Sequence, residues 1–196
     1  IYQGDDNLYY EQTGNSIHCL ENIDGIPSYW TYIRFKDLVD FRIGKTPPRT
    51  ASEFWGDYFP WVSITDMIPN QEVYSTIEKL SEDGKLLLKD KVSPKGTLIM
   101  SFKLTVGRVS ILGMDSTHNE AIISVFPHYD KNNILRDYLF KLLPIISMSG
   151  ETKKAIKGLT LNSKSMGDML IPLTNFAEQT RIVNRLDLIE EQIDKL

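Results

Sequence analysis

The sequence predicts an α+β fold (mixed α/β): a compact domain with a short-stranded twisted sheet and few helices, plus a protruding C-terminal coiled-coil helix. Three observations predict it. Short apolar runs at 60–64, 96–102, 108–112 and 121–126 have the length and composition of strands. Leu135, Leu139, Leu142 and Ile146 recur at helical spacing. Ile182, Leu186, Ile189, Ile193 and Leu196 fall at alternating steps of four and three, the seam of a coiled coil.

Residues 1–27 are rich in Asp, Asn, Gly and Tyr with little periodicity and read as an acidic, extended leader or linker. A compact domain begins at Ser28 and runs to Thr174, opening with the alternating strand pattern of Tyr32-Ile33-Arg34-Phe35. Next comes the loop Gly44-Lys45-Thr46-Pro47-Pro48-Arg49, in which Gly frees the backbone and two prolines fix it without offering amide donors. Residues 60–64 form a buried strand, and 85–91 a short stretch of either type. The strands at 96–102 and 108–112 flank a polar connection, Lys103-Leu104-Thr105-Val106-Gly107, and 121–126 is a third strand closed by Pro127. A helix follows from about Asn133, interrupted or kinked by Pro144. Residues 153–164 make a basic loop, and Leu170-Ile171-Pro172 a last strand. Asn175, with Glu178 three residues on, marks an N-cap and capping-box partner, so residues 175–196 begin a helix whose stripe is still in phase at Leu196. Such a stripe needs a second helix to cover it, and together with a first residue other than Met it reads as one part of something longer.

The net charge of −4 argues against nucleic acid only until it is divided by position. Residues 1–27 carry −5 and 177–196 carry −2, leaving +3 on the body between them. That permits a DNA-facing domain without demanding one. One cysteine, Cys19, excludes an internal disulfide and a cysteine metal cluster, and a reducing cytoplasm fits best. No apolar run is long enough to cross a bilayer.

Chemistry of the common enzyme classes is not written here. Neither the Gly-x-x-x-x-Gly-Lys-Ser/Thr phosphate loop nor Gly-x-Gly-x-x-Gly occurs, and His18, His118 and His128 lack metal-ligand spacing. Asp83-Gly84-Lys85 and Glu151-Thr152-Lys153 match half of a nuclease signature but lie on no clear strand. Thr46-Pro47-Pro48-Arg49 departs from the Asn/Asp-Pro-Pro-Tyr of adenine methyltransferases at the two positions that hold and stack the base. What remains is a set of basic, polar loops. Lys45 and Arg49 flank Thr46, Lys103 and Arg108 flank Thr105, and Lys153 and Lys157 lie in an acid-poor run. Such side chains suit phosphate anchoring and base-edge hydrogen bonding, although solvated surface has the same composition.

The order of motifs resembles a family. Trp30 and Leu38, then Gly44-Lys45-Thr46-Pro47, Trp55-Gly56 and Pro60-Trp61-Val62-Ser63-Ile64-Thr65-Asp66-Met67 are similar to a DNA target-recognition domain of type I restriction–modification specificity subunits. Pro94-Lys95-Gly96-Thr97-Leu98-Ile99-Met100-Ser101, Leu104-Thr105-Val106-Gly107, Asn119-Glu120-Ala121-Ile122 and the exit through Ile171-Pro172-Leu173 keep the pattern, as does the leader 4–11. The resemblance implies recognition of double-stranded DNA, half of a bipartite target, by a non-catalytic component. Lys45, Thr46 and Arg49 correspond to a family loop near DNA. Lys103, Thr105 and Arg108 form a second reading element, with Ser63 and Asp66 as base contacts or their supports and Lys153 and Lys157 as further DNA contacts. Ile182, Leu186, Ile189, Ile193 and Leu196 would pair with a second recognition domain or a second copy and dock the methyltransferase subunits, and through them the restriction subunit. The chain itself would need no cofactor: S-adenosylmethionine, ATP and Mg²⁺ belong to the partner subunits. A stand-alone DNA-modifying enzyme domain and a protein-interaction module built on the helix are the alternatives.

Overall fold

In the computed structural model the described residues are 2–3, 9–14, 16–19, 30–148, 162–193 and 195. Strands β1 (Tyr2–Gln3), β2 (Tyr9–Thr13) and β3 (Ser16–Cys19) form an antiparallel sheet in that order, turned at Gly14 with φ +62°. The described part of the leader is thus extended and paired, Tyr2 with Tyr10 and Glu11 with His18.

The body begins with β4 (Thr31–Arg34), a single helical turn α1 (Phe35–Leu38) and β5 (Val39–Ile43). Then come β6 (Trp55–Gly56), β7 (Phe59–Val62), β8 (Gln71–Val73), β9 (Glu78–Leu80) and helix α2 (Glu82–Leu87). Strands β10 (Leu98–Ser101), β11 (Val109–Leu112), β12 (Thr117–His118) and β13 (Ile122–Pro127) lead to helix α3 (Ile134–Ile146). The chain closes with α4 (Ser163–Gly167), β14 (Leu170–Leu173) and α5 (Phe176–Ile193).

The continuous apolar strands belong to a five-stranded sheet, ordered β5-β13-β10-β11-β8, that is covered on both faces. On one face Leu98, Met100, Val109, Ile123 and Val125 pack against Leu135, Tyr138, Leu139 and Leu143 of α3. On the other, Val73, Ile99, Leu112 and Ile122 meet Val62 and Met67. A four-stranded sheet, β12-β7-β9-β6, and the pair β14-β4 complete the body. Helix α3 runs through Pro144 rather than stopping there. Pro144 falls in its last turn, where few later amides depend on unbroken bonding, and Ser147 N–H still donates to Leu143 O at 3.0 Å. Tyr138 Oη donates to Pro172 O at 2.8 Å, tying α3 to β14.

Between the sheets lies a buried polar chain. His118 Nε2 is 2.6 Å from Ser124 Oγ, Ser124 Oγ is 2.6 Å from Ser93 Oγ, and Arg42 donates to Ser93 Oγ at 3.1 Å and to Val92 O at 2.6 Å. Burial pushes His118 from 6.5 down to about 4. The folded state therefore binds this proton less readily than the unfolded chain, so the stability contributed is full above pH 6.5 and is lost as pH falls toward 4, by about 3 kcal/mol. We expect urea midpoints of the wild type to fall steadily from pH 6.5 to 5 and those of His118→Gln to stay nearly level. An equal slope in the variant would place the titrating group elsewhere.

Candidate nucleic-acid interface

Three connections meet at one end of the five-stranded sheet. The 44–49 loop leaves β5 with Gly44 N–H bonded to Ile122 O at 3.1 Å and Lys45 N–H to His118 O at 2.9 Å. The 102–107 turn joins β10 to β11 and is held by Phe102 N–H on Ala121 O at 2.9 Å. The 119–121 turn lies between them and is anchored to β7 by Asn119 N–H on Val62 O at 3.0 Å. Main-chain bonds thus stitch segments as far apart in sequence as Gly44 and Ile122 into one rim.

Two tryptophans set the 44–49 loop from beneath. The indole of Trp61, buried in the core with Phe59, Leu80 and Leu88, donates to Lys45 O at 3.1 Å, and that of Trp55 donates to Pro48 O at 3.3 Å. The rings meet edge to face at 5.1 Å. Loop carbonyls that the prolines leave without a regular ladder are satisfied this way. The Arg49 guanidinium lies 4.2 Å over Trp55 and 4.8 Å over Trp61, and both its terminal nitrogens bond the Glu78 carboxylate.

At the centre of the rim the Thr46 hydroxyl donates to Glu120 Oε2. That bond is the main influence holding Glu120 below the ordinary carboxylate value; partial burial opposes it, while Lys103 and Arg49 add to it. The structure therefore brings Thr46, Arg49 and Lys103 together around one ionised acid. Glu120 itself was not among the expected site residues, since only its position in the Asn119-Glu120-Ala121-Ile122 motif marked it. Lys45 is exposed beside this group, and Thr105 sits in the adjoining turn.

Other expected residues are spent on architecture. Ser63 and Asp66 form a capping box: Asp66 Oδ2 accepts from Ser63 N–H at 2.8 Å and Ser63 Oγ at 2.7 Å, and its Oδ1 accepts from Ile77 N–H at 2.8 Å. The Ser-x-x-Asp spacing was the signal for this. Arg108 donates to Ile64 O at 3.2 Å and Met67 O at 3.3 Å, fastening the same turn to the sheet. All three are thus engaged within the protein, which for Ser63 and Asp66 is the supporting role that the sequence reading offered beside base contact. Lys153 and Lys157 lie outside the described residues.

The C-terminal seam divides in two. Asn175 Oδ1 accepts from Glu178 N–H at 3.0 Å, but Glu178 turns to Arg181 instead of closing the box. Ile182 and Val183 pack on the main core, and Lys141 of α3, almost buried, is paired at 2.7 Å with both Asp187 and Glu190. Leu186 is half-buried, whereas Leu188, Ile189 and Ile193 are exposed. Leu196 lies outside the described residues. No described helix is long and apolar enough to cross a membrane.

The model of the type I restriction modification DNA specificity domain matches residues 27–195. The chain is 25% identical over 182 residues to the type I restriction enzyme MjaIX specificity subunit of Methanocaldococcus jannaschii, covering 88% of this chain and 40% of that protein. It is 29% identical over 172 residues to the HindI specificity subunit of Haemophilus influenzae, covering 82% of this chain and 37% of that one. It thus spans about two fifths of the length of the curated relatives it matches. In fold it resembles the HsdS subunit of Thermoanaerobacter tengcongensis, with a TM-score of 0.61 at 18% identity over 95% of this chain and 41% of the other.

Proposed function

Because the chain belongs to the type I restriction modification DNA specificity family, we propose that it reads a short half-site of double-stranded DNA and performs no catalysis itself. The observation that carries this reading is the rim where three loops, fixed by main-chain bonds, present Lys45, Thr46, Arg49, Lys103 and Glu120 together. Rigid positioning matters because base-edge hydrogen bonds discriminate only when donor and acceptor are held to a defined register. Lys103 and Lys45 supply phosphate anchors, and the Glu120 carboxylate, with the oxygen of Thr46 whose proton it holds, offers acceptors to base-edge amino groups. Methyltransferase subunits, and the restriction subunit through them, would bring S-adenosylmethionine, ATP and Mg²⁺. They, or a second recognition domain, would engage the exposed end of α5 at Leu188, Ile189 and Ile193.

The test is selection of the full chain on a randomised duplex pool, with and without the methyltransferase partner, followed by sequencing of the retained DNA. One enriched motif, or two copies at fixed spacing, is expected; no enrichment even with the partner present refutes the assignment. On the selected site, Lys103→Ala is expected to weaken binding uniformly across sequences and to reduce the slope of log affinity against log salt by about one. A change of preferred base in that variant would mean that Lys103 reads sequence rather than phosphate.

A further inference from the structure

Leu104 stands at the tip of the 102–107 turn with φ +63° and 73% of its surface exposed. An exposed leucine alone needs no explanation. A leucine in left-handed backbone does, because its Cβ is strained there and glycine or asparagine would suit the position better. Thr105 N–H donates to Lys103 O at 2.8 Å, which closes a three-residue turn centred on Leu104, a rare and strained kind. The surroundings enforce it. Gly107 N–H donates to Ser101 O at 2.9 Å, Ser101 Oγ donates to Thr105 O, and Arg108 N–H reaches Thr105 O at 3.3 Å. Gly107, at φ +82°, is pressed so close to α3's end that a Cβ would lie 2.1 Å from Ser147 Oγ. The turn is thus over-determined, and what it holds out is a branched apolar side chain next to Lys103, whose charge acts on Glu120.

Strain kept in place by its surroundings is a pointer to function. The apolar feature that a closed duplex shows in its major groove is the thymine C5-methyl. Wedging a leucine between base steps instead would require unstacking them. Resting on the DNA-reading assignment above, we propose that Leu104 contacts a thymine methyl within the recognised half-site and so sets specificity at that base pair. Lys103 anchors the turn on the adjacent phosphate, and the strained backbone keeps the side chain off the protein's own surface.

The test couples the side chain to the methyl. The duplex retained in the selection is remade with deoxyuridine replacing each thymine in turn, and binding is measured for the full wild-type chain, Leu104→Gly and Leu104→Asn. One uracil position is expected to weaken the wild type about fourfold, the value of one buried carbon group, and to leave both variants unaffected. Both variants are also expected to melt no lower than wild type, because they suit the backbone better. If no uracil position separates wild type from the variants, or the selected motif holds no thymine, the contact is refuted while the DNA-reading assignment stands. If no motif is selected at all, the assignment itself fails.

Discussion

Replacing Gly44 with alanine lowers stability by about 3 kcal/mol or more and abolishes DNA binding by the molecules that remain folded. The added Cβ would lie 2.1 Å from His118 O, 2.3 Å from Asn119 O and 2.3 Å from His118 Nδ1. Two of these atoms are main chain, so no rotamer change relieves the overlap, and insertion into a tight site costs 1–3 kcal/mol before such backbone displacement is counted. The strand pairing at Gly44 N–H and Ile122 O must open, and the turn that carries Glu120 must shift away from Thr46. Gly113→Ala is the control. Its Cβ would lie 2.5 Å from Tyr74 Cδ1 and 3.0 Å from Val73 O, just past β11 at the end of the sheet opposite the rim. It should cost stability yet leave affinity per folded molecule intact. Urea denaturation with DNA titration of both variants distinguishes the outcomes; equal affinity losses would show that Gly44 acts through global stability alone.

Ending the chain at Asn175 unfolds the domain, whereas ending it at Asp187 leaves a cooperative fold. The coiled-coil pattern alone suggests a free helix, but Ile182 and Val183 pack on the main core and Gln179 Nε2 donates to Thr174 O at 2.6 Å from a buried position. Lys141 shows what is at stake. Burial works against its charge, and the bonds from Asp187 and Glu190 overcome that and hold its pKa above the ordinary value. Truncation at Asn175 removes both acids together with the helix that buries Lys141, so the loss falls on the apolar surface of α3 and the core that Ile182 and Val183 cover. Keeping Asp187 preserves one partner and all the packed residues. Circular dichroism melts check this: a sigmoidal transition for the chain ending at Asn175 would assign α5 to the exterior.

Much of the fold was legible because burial on both faces writes itself as unbroken apolar runs, as at Leu98–Ser101 and Ile122–Pro127. The helical stripe Leu135, Leu139, Leu142 and Ile146 was legible for the same reason, with burial following a 3.6-residue period. Pro144 misled because its effect depends on where in the helix it falls. At the rim, residue types that can touch DNA were legible, but what they touch in the protein was not. Arg49 meets Glu78, and Thr46 meets Glu120 across 74 positions, contacts that only the sheet order creates. Asp66 carried its own signal in Ser-x-x-Asp spacing, yet a capping acid and a base-reading acid are the same residue type. Trp55 and Trp61 were legible only as members of the family motif; that their N–H groups hold the loop depends on backbone carbonyls, which have no identity in a sequence.

Helix α5 is embedded at its base and bare at its tip, so it works as a cantilever. Its 18 residues span about 27 Å at 1.5 Å per residue. With its root clamped by α3, whatever grips the far end cannot turn without turning the whole rim. Each residue added beyond the clamp would advance the tip by 1.5 Å and swing it by about 100°. Three or four added residues nearly restore the original bearing; one or two point the tip elsewhere. Helical phase, as much as length, therefore fixes which way the rim faces relative to anything the helix carries.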